Sequence, residues 1–311
     1  MTSTRAVADA IKGAAFGPGI DFKNLTVIPI IGAGGGSADY LTLDEGLAAG
    51  LVEVTEVSEA GHVPELKVTV KGAVPVLLVD GEELIGAKQN RVLNLTILAP
   101  AQRTTVIPVS CVEAGRWRRL SSTFASATRT HFAEGRAEKM RQVTASMHSL
   151  GVRRSHQGAV WDLIARKSAR LQSPSSTSAM AAMYEKFDAP LDDFVRAFPP
   201  VDQQIGAVFL INGTCVGLEC FDVPATWHKV SPKLIRSYAI DALDRQHART
   251  EQSAVDADRF VNDISAATGA VFPAVGEGED VRLESRDVIG AALVAHGRAI
   301  HISAFRQRPP G

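Results

Sequence analysis

The chain has 311 residues, of which 45% are hydrophobic and 22% are charged, and its formal net charge is −1. A disordered chain would have fewer apolar residues and a larger net charge, and a collagen-like chain would have far more Gly and Pro. The longest nearly apolar runs, at 25–31 and 73–79, are strand-sized and fall short of the roughly 20 residues that span a bilayer. We therefore expect a globular protein without a membrane partner.

The cysteines and the first residues predict the compartment. Three cysteines are an odd number in a long chain, so a disulfide framework is not expected and a reducing environment is favoured. The opening segment, MTSTRAVADAIKG, lacks the apolar core of a signal peptide. We expect a cytoplasmic protein.

The first 117 residues are predicted to be mostly β-strand. The run at 25–31 is apolar, and Pro29 within it favours an edge position because proline lacks a backbone donor. A short helix is expected at 40–49, with Thr42 as a possible cap. Residues 51–57 and 66–71 alternate between apolar and polar residues, as half-buried strands do. Further strands are predicted at 74–79, 83–86, 92–98 and 106–112.

The sequence changes character at Arg118. Residues 119–172 have apolar side chains at helical spacing, and further helical segments follow until Pro199-Pro200. Strands return after residue 201, interrupted by helices that begin near Ser231 and near residue 252. The predicted organisation is a β-rich first half at 1–117, a helical insert at 118–200 and a β-rich second half with helices at 201–311. The fold class is α+β, with antiparallel or mixed sheets and the two halves packed as one compact unit.

A repeated pattern favours a relation between the two halves. Residues 76–86 place an apolar strand before Asp80-Gly81 and a short return strand after it. Residues 208–217 repeat this order around Asn212-Gly213, with a one-residue difference. Because an Asx-Gly pair is typical of tight hairpins, we predict a hairpin in each segment. Chance similarity between two such hairpins is the alternative to duplication.

The glycine-rich segment IIGAGGGS at 30–37 suggests a dinucleotide-binding loop. It follows a strand, precedes a short helix, and has Glu53 and Glu56 about 20 residues downstream. However, Ser37 replaces the last glycine, the helix is short, and the next strand alternates instead of being solidly apolar. We therefore favour a surface loop, and the sequence predicts neither a cofactor nor a metal site.

The densest group of polar residues lies between positions 82 and 116. Two acids provide candidate catalytic groups, and a run of basic and amide side chains is suited to phosphate or carboxylate oxygens. Charged side chains are ordinarily solvated, so an exposed hairpin rim is the alternative. Neighbouring residues of a strand point to opposite faces, so only one of Glu82 and Glu83 is expected in a given pocket. The predicted site consists of Glu82, Glu83, Lys88, Gln89, Asn90, Arg91, Glu113 and Arg116.

Charge is unevenly distributed along the chain. Between Arg116 and Arg154 there are nine Lys or Arg residues against two Glu residues, whereas 251–287 is strongly acidic. The basic segment suits a polyanion such as nucleic acid. The segment shows no aromatic interleaving that suggests base stacking, so a contact with the acidic segment, within the chain or between copies, is favoured over nucleic acid.

Four strings resemble a known family. They are GEELIGAKQNRVLN, VSCVEAGRW, QIGAVFLINGTCVGLECFD and GRAIHISAF. Together they resemble the ADP-ribosylglycohydrolase- and rhodanese-phosphatase-associated protein domain family, over roughly residues 20–305. The family name implies association with enzymes that handle ADP-ribose and phosphate, and it implies no reaction. Its polar motif falls on Glu82, Glu83, Gly86, Lys88, Gln89, Asn90, Arg91, Asn94, Cys111, Glu113, Gly115, Arg116 and Trp117.

Two functions remain as hypotheses. In the first, the chain binds or hydrolyses a phosphorylated nucleoside or ADP-ribose-like metabolite. Lys88 and Arg91 then hold anionic oxygens, Gln89 and Asn90 orient the ligand, and Glu83 or Glu113 is the general base. Hydrolysis is the expected reaction of an enzyme without a cofactor motif. In the second, the protein is a non-catalytic homo-oligomer and the polar motif is an interface or a structural network.

Overall fold

A computed structural model describes residues 2–32, 36–58, 64–117, 121–246 and 254–307, so the centre of the glycine-rich loop lies outside the described residues. The described residues form an α+β fold, which confirms the predicted fold class. The strands are β1 (Ala15–Phe16), β2 (Ile20–Phe22), β3 (Leu25–Ile31), β4 (Leu41–Thr42), β5 (Val52–Glu56), β6 (Glu65–Val70), β7 (Val76–Leu78), β8 (Glu82–Gly86), β9 (Arg91–Leu93), β10 (Ile97–Ala99), β11 (Thr104–Cys111), β12 (Phe124–Thr130), β13 (Gln204–Ile211), β14 (Thr214–Phe221), β15 (Thr268–Pro273), β16 (Glu279–Glu284), β17 (Val288–Ala295) and β18 (Arg298–Arg306).

The helices are α1 (Ser3–Lys12), α2 (Leu43–Ala48), α3 (Ala133–Leu150), α4 (Gln157–Arg170), α5 (Ala181–Lys186), α6 (Asp188–Ala197), α7 (Pro224–Asp244) and α8 (Ala254–Ala266). Within the described ranges, no helix combines the length and the apolar character needed to cross a bilayer. The chain divides into two compact units. Unit 1 comprises Met1–Ala38, Pro190–Ala274 and Gly278–Gly311, and unit 2 comprises Asp39–Ala189 and Val275–Glu277.

Unit 1 is built on a nine-stranded antiparallel sheet. Its main path runs β1-β3-β13-β14-β18-β17-β16-β15, and β2 also pairs with β3. Apolar side chains of α1 and α8 pack on this sheet with residues such as Val208, Leu218 and Ile302. Every described pairing of β3 is antiparallel, so β3 does not begin the parallel βαβ unit of a dinucleotide-binding fold.

The edge position predicted from Pro29 is wrong. β3 pairs with β13 along one side and with β1 and β2 along the other. The Pro29 carbonyl accepts a hydrogen bond from the Gly17 backbone, in the connection between β1 and β2. The nitrogen and carbonyl of one strand residue face the same side, so the missing donor also faces this short connection. An interior strand therefore accommodates proline where its neighbour is interrupted.

Unit 2 contains a six-stranded antiparallel sheet that curls until its first and last strands meet. The strand order is β12-β8-β9-β11-β6-β5, and an isolated bridge joins Thr55 of β5 to Thr123 beside β12. Alternate side chains of the strands fill the interior with an apolar core that includes Val54, Leu66 and Leu84. The sheet is therefore a small barrel closed by that bridge.

The hairpin predicted at residues 76–86 is wrong, whereas the one around Asn212-Gly213 is confirmed. β7 joins the three-stranded sheet β10-β7-β4, and β8 belongs to the barrel. β13 and β14 pair directly, with Ile211 opposite Thr214. Asn212 and Gly213 both have positive φ, as a hairpin turn of type I′ requires, whereas at the first turn only Gly81 does. The two segments thus share a sequence pattern without sharing a structure.

Gly81 is expected to be the more sensitive of two glycines with positive φ. An added Cβ at Gly81 (φ +82°) would stand 2.8 Å from the Arg136 side chain, whereas at Gly50 (φ +68°) it would meet nothing within 4 Å. Gly50→Ala should lose about 1 kcal/mol of unfolding free energy through backbone strain. Gly81→Ala should lose a further ~1–3 kcal/mol through overpacking. Urea unfolding of both variants measures this, and equal losses would contradict the packing described here.

Candidate functional site

The polar residues of unit 2 gather around one end of the barrel. β5, β8 and β11 end there, and β6, β9 and β12 begin there, because neighbouring strands are antiparallel. The register shows this directly, since Cys111 is opposite Arg91, Glu56 is opposite Leu66, and Phe124 is opposite Gly86. We call this end the barrel mouth.

Three polar side chains at the barrel mouth belong to the inward face of their strands. Glu56 is two residues beyond the buried Val54 and is paired with the core residue Leu66. Arg91 is paired with the core residue Leu84 and with Cys111. Because residues opposite each other across antiparallel strands share a face, Glu56, Arg91 and Cys111 all point toward the interior.

Arg91 is completely buried. Its Nη1 donates a hydrogen bond to Gln89 Oε1 at 2.8 Å, while Nε and Nη2 have no oxygen or nitrogen acceptor among the described residues. Its guanidinium carbon lies 5.8 Å from the centre of the Trp117 ring. Gln89 thus orients Arg91, whose guanidinium also interacts with the Cys111 thiol by charge and by hydrogen bond.

The carboxylate of Glu56 also lacks hydrogen bonds within the described residues. Both of its carboxylate oxygens are buried and have no hydrogen-bond partner in the part of the chain that the structure describes. Burial raises the pKa of the Cys111 thiol to about 11, with the Arg91 charge lowering it and the Glu56 charge raising it. Both charges therefore act on the same sulfur, and the thiol stays protonated and neutral at pH 7. None of the ion pairs in the described part of the chain joins Glu56 to Arg91.

A polar cavity of about 420 Å³ opens beside the barrel mouth, where β5 meets the start of β12. Lys88 lines it, and the Lys88 ammonium lies 5.3 Å from the centre of the Trp117 ring. Trp117 is 51% exposed. The lining also includes Glu56 and the hydroxyl residues Thr55, Ser58, Ser122 and Thr123.

A second polar group lies on the outer face of the same strands. We call it the outer network, and it consists of Glu83, Asn90, Glu113, Arg116 and Arg129. Glu83 accepts hydrogen bonds from the Asn90 amide at 3.0 Å and from Arg129 Nε. Arg116 donates to Glu113 at 2.7 Å and to the Asn90 side-chain oxygen at 2.9 Å. The five side chains are joined by mutual hydrogen bonds.

The loop before α5 continues the outer network. Thr177 Oγ1 donates to Glu113 Oε1 at 2.9 Å, and the Gly115 backbone donates to the Thr177 carbonyl. An added Cβ at Gly115 would stand 2.9 Å from Thr177 Cα, so only glycine permits this approach. Both oxygens of Glu113 are thereby engaged, and this carboxylate holds the loop against the barrel.

Burial controls the ionisation of Glu83. It raises the pKa of this carboxyl above its ordinary value of 4.5, and Arg129 is the main group that lowers it again. The Asn90 hydrogen bond also lowers this pKa, and the Glu113 charge raises it. Glu83 therefore depends on Arg129 for a stable carboxylate.

The predicted site residues fall into three places. Glu83, Asn90, Glu113 and Arg116 meet in the outer network, which joins both predicted catalytic acids. Lys88, Gln89 and Arg91 belong to the barrel mouth. Glu82 belongs to neither group. Its carboxylate accepts a hydrogen bond from the Val79 backbone at 2.8 Å, across the turn before β8. The separation of Glu82 from Glu83 follows from strand alternation.

Sequence reasoning did not place Glu56 or Arg129 in the site. Glu56 carried a detectable signal, because it continues the inward positions of Val52 and Val54 with a charge. Arg129 carried none, since its approach to Glu83 depends on the pairing of β8 with β12, 46 residues apart. In the described residues, no group of three or more His, Cys, Asp or Glu side chains could hold a metal ion. The three cysteines are unpaired.

Residues 13–305 match the model of the ARG and Rhodanese-Phosphatase-superfamily-associated Protein domain. The chain belongs to this family. The match includes both units and every predicted site residue, and it confirms the resemblance noted in the sequence. The family name states an association with two kinds of protein and gives no ligand or reaction. No curated protein and no solved structure matches the chain.

Removing the Arg129 guanidinium should destabilise the protein in a pH-dependent way. Arg129→Met leaves the buried Glu83 carboxylate without its cation, which should lower the unfolding free energy by about 3–5 kcal/mol at neutral pH. A carboxyl whose folded-state pKa is raised destabilises the fold as pH rises through that pKa. The deficit should therefore shrink as the pH falls below the folded-state pKa, where Glu83 is protonated in both proteins.

Arg141→Met is the matched control, because Arg141 forms an exposed pair with Glu138. It should lose less than about 1 kcal/mol. Urea unfolding at a series of pH values measures both variants. A deficit of Arg129→Met that is independent of pH would contradict the pairing with Glu83.

Proposed function

We propose that the protein binds a phosphorylated nucleoside or an ADP-ribose-like metabolite at the barrel mouth, in the cytoplasm. The observation that carries this proposal is Lys88, which lines the polar cavity and lies beside the half-exposed ring of Trp117. A lysine ammonium is suited to phosphate oxygens. An exposed indole is suited to stacking with a nucleobase, which contributes roughly 1–3 kcal/mol per base.

The outer network supports this proposal as a scaffold. Asn90 and Arg116 both donate to Glu113, which also accepts from Thr177 of the loop before α5. Gln89 orients Arg91 two residues along the chain. Hydrolysis is the proposed reaction if the ligand is turned over. Glu83 or Glu113 would then be the general base, and either would first have to exchange a present hydrogen-bond partner. The geometry thus favours binding over catalysis.

A second candidate function rests on the same network. The side chains of Glu83 and Glu113 are engaged within the protein, as they would be in a purely structural motif. The protein would then be a non-catalytic homo-oligomer. Electrostatic self-association weakens as the Debye length falls from about 10 Å at 0.1 M salt to about 3 Å at 1 M. Light scattering that shows a monomer at every salt concentration would exclude this candidate.

Thermal shift measurements test the metabolite proposal. ADP-ribose, NAD and nucleotides should raise the melting temperature of the wild type, since a ligand at 100 times its dissociation constant adds about 2.7 kcal/mol. Lys88→Ala should lose this rise. Lys12→Ala, at the exposed end of α1, should keep it. The absence of a rise with every ligand would overturn the proposal.

A further inference from the structure

A row of three polar side chains crosses the outer surface of the barrel where the barrel closes. Lys67 of β6 is directly opposite Thr55 of β5, and an isolated bridge pairs Thr55 with Thr123 beside β12. Residues opposite each other across antiparallel strands share a face, with Cβ atoms about 4.5–5.5 Å apart. Their neighbours Val54 and Leu66 belong to the core, so the row faces outward. All three side chains line the polar cavity beside the barrel mouth.

Lys67 is the cation of this row. It is partly exposed, and its ammonium has no ion pair, hydrogen bond or aromatic contact with any residue that the structure describes. Lys71, just beyond the end of the same strand, is by contrast paired with Glu53 at 2.9 Å. An ammonium that lines a cavity without an internal partner is suited to an anionic group of a ligand.

Hydroxyl groups surround Lys67 in the cavity wall. Thr55, Ser58, Ser122 and Thr123 all line the cavity, and none of their hydroxyls is hydrogen-bonded within the described part of the chain. A hydroxyl donates one hydrogen bond, and a phosphate oxygen accepts several. The wall thus combines one ammonium with several hydroxyl donors, which is the donor set that a phosphate group requires.

The acidic residues of the cavity wall do not cancel this positive charge. Glu53 is held by Lys71 in the ion pair described above. Glu56 belongs to the inward face of β5, and both of its carboxylate oxygens are buried. Lys67 and Lys88 are therefore the two charged groups that make the cavity wall positive.

We propose that Lys67, Thr55 and Thr123 bind a second phosphate group, so that the ligand of the cavity carries a diphosphate. This proposal rests on the proposed function, which places the first phosphate near Lys88, and it adds the number of phosphates. One cavity of about 420 Å³ is lined by both lysines, so two linked phosphates can meet both. The diphosphate is either the terminal group of a nucleoside diphosphate or the doubly esterified bridge of an ADP-ribose-like compound.

Calorimetric titration of the full chain with AMP and ADP tests the second phosphate site, because the two nucleotides differ by one phosphate group. The wild type should bind ADP at least about 10-fold more tightly than AMP, since hydrogen bonds to charged groups are the stronger ones. Lys67→Ala should reduce this ratio to about one. Thr55→Val, which removes one hydroxyl donor, should reduce it by roughly 2- to 5-fold.

Arg103→Ala is the matched control. It also removes one positive charge from an exposed position of unit 2, but Arg103 precedes β11, whose other end lies at the barrel mouth. Arg103 does not line the cavity. This variant should keep the wild-type preference for ADP, and a loss as large as that of Lys67→Ala would reduce the effect to general charge and overturn the site.

The outcomes separate the two proposals. Equal binding of AMP and ADP to the wild type would overturn the second phosphate site and leave the proposed function standing. Binding of neither nucleotide, nor of ADP-ribose, would overturn both. An unchanged ratio in Lys67→Ala would overturn the assignment of Lys67. Tighter binding of ADP-ribose than of ADP identifies a doubly esterified diphosphate as the ligand, and tighter binding of ADP identifies a terminal one.

Discussion

The closure of the six-stranded sheet is the constraint on which the candidate site depends. Once β5 reaches the start of β12, the inward face of every strand becomes interior, including its last residue. Most inward positions are apolar and form the core, but Glu56 and Arg91 bring charge to that face at one end. The barrel therefore determines that two opposite charges share the mouth, beside the cavity that Glu56 and Lys88 line.

Residues 88–91 contribute side chains to both the outer network and the barrel mouth. Along residues 88–91 the side chains alternate, so that Asn90 reaches Glu83 and Arg116 outside while Gln89 holds Arg91 inside. The outer hydrogen bonds fix the strand ends. Arg91 is completely buried, so its bond with Gln89 orders a side chain of the barrel interior.

Local patterns predicted much of this arrangement, and long-range closure accounts for what they missed. Strand alternation correctly separated Glu82 from Glu83. The hairpin prediction failed at the turn after β7, because an Asx-Gly pair does not specify which sheet the next strand joins. The edge position predicted from Pro29 also failed, because the side of β3 that this proline faces is covered by two separate short strands, β1 and β2. The alternation of β5 places Glu56 on the same face as Val52 and Val54, but no local pattern shows that β5 closes a barrel and brings Glu56 to its mouth.

The most direct test is the electron density of crystals of the protein soaked with ADP-ribose. The account predicts a phosphate oxygen within hydrogen-bond distance, roughly 2.7–3.2 Å, of the Lys88 ammonium, with the adenine stacked on the Trp117 ring. Density for the ligand elsewhere, or a bound ligand that touches neither Lys88 nor Trp117, would contradict it.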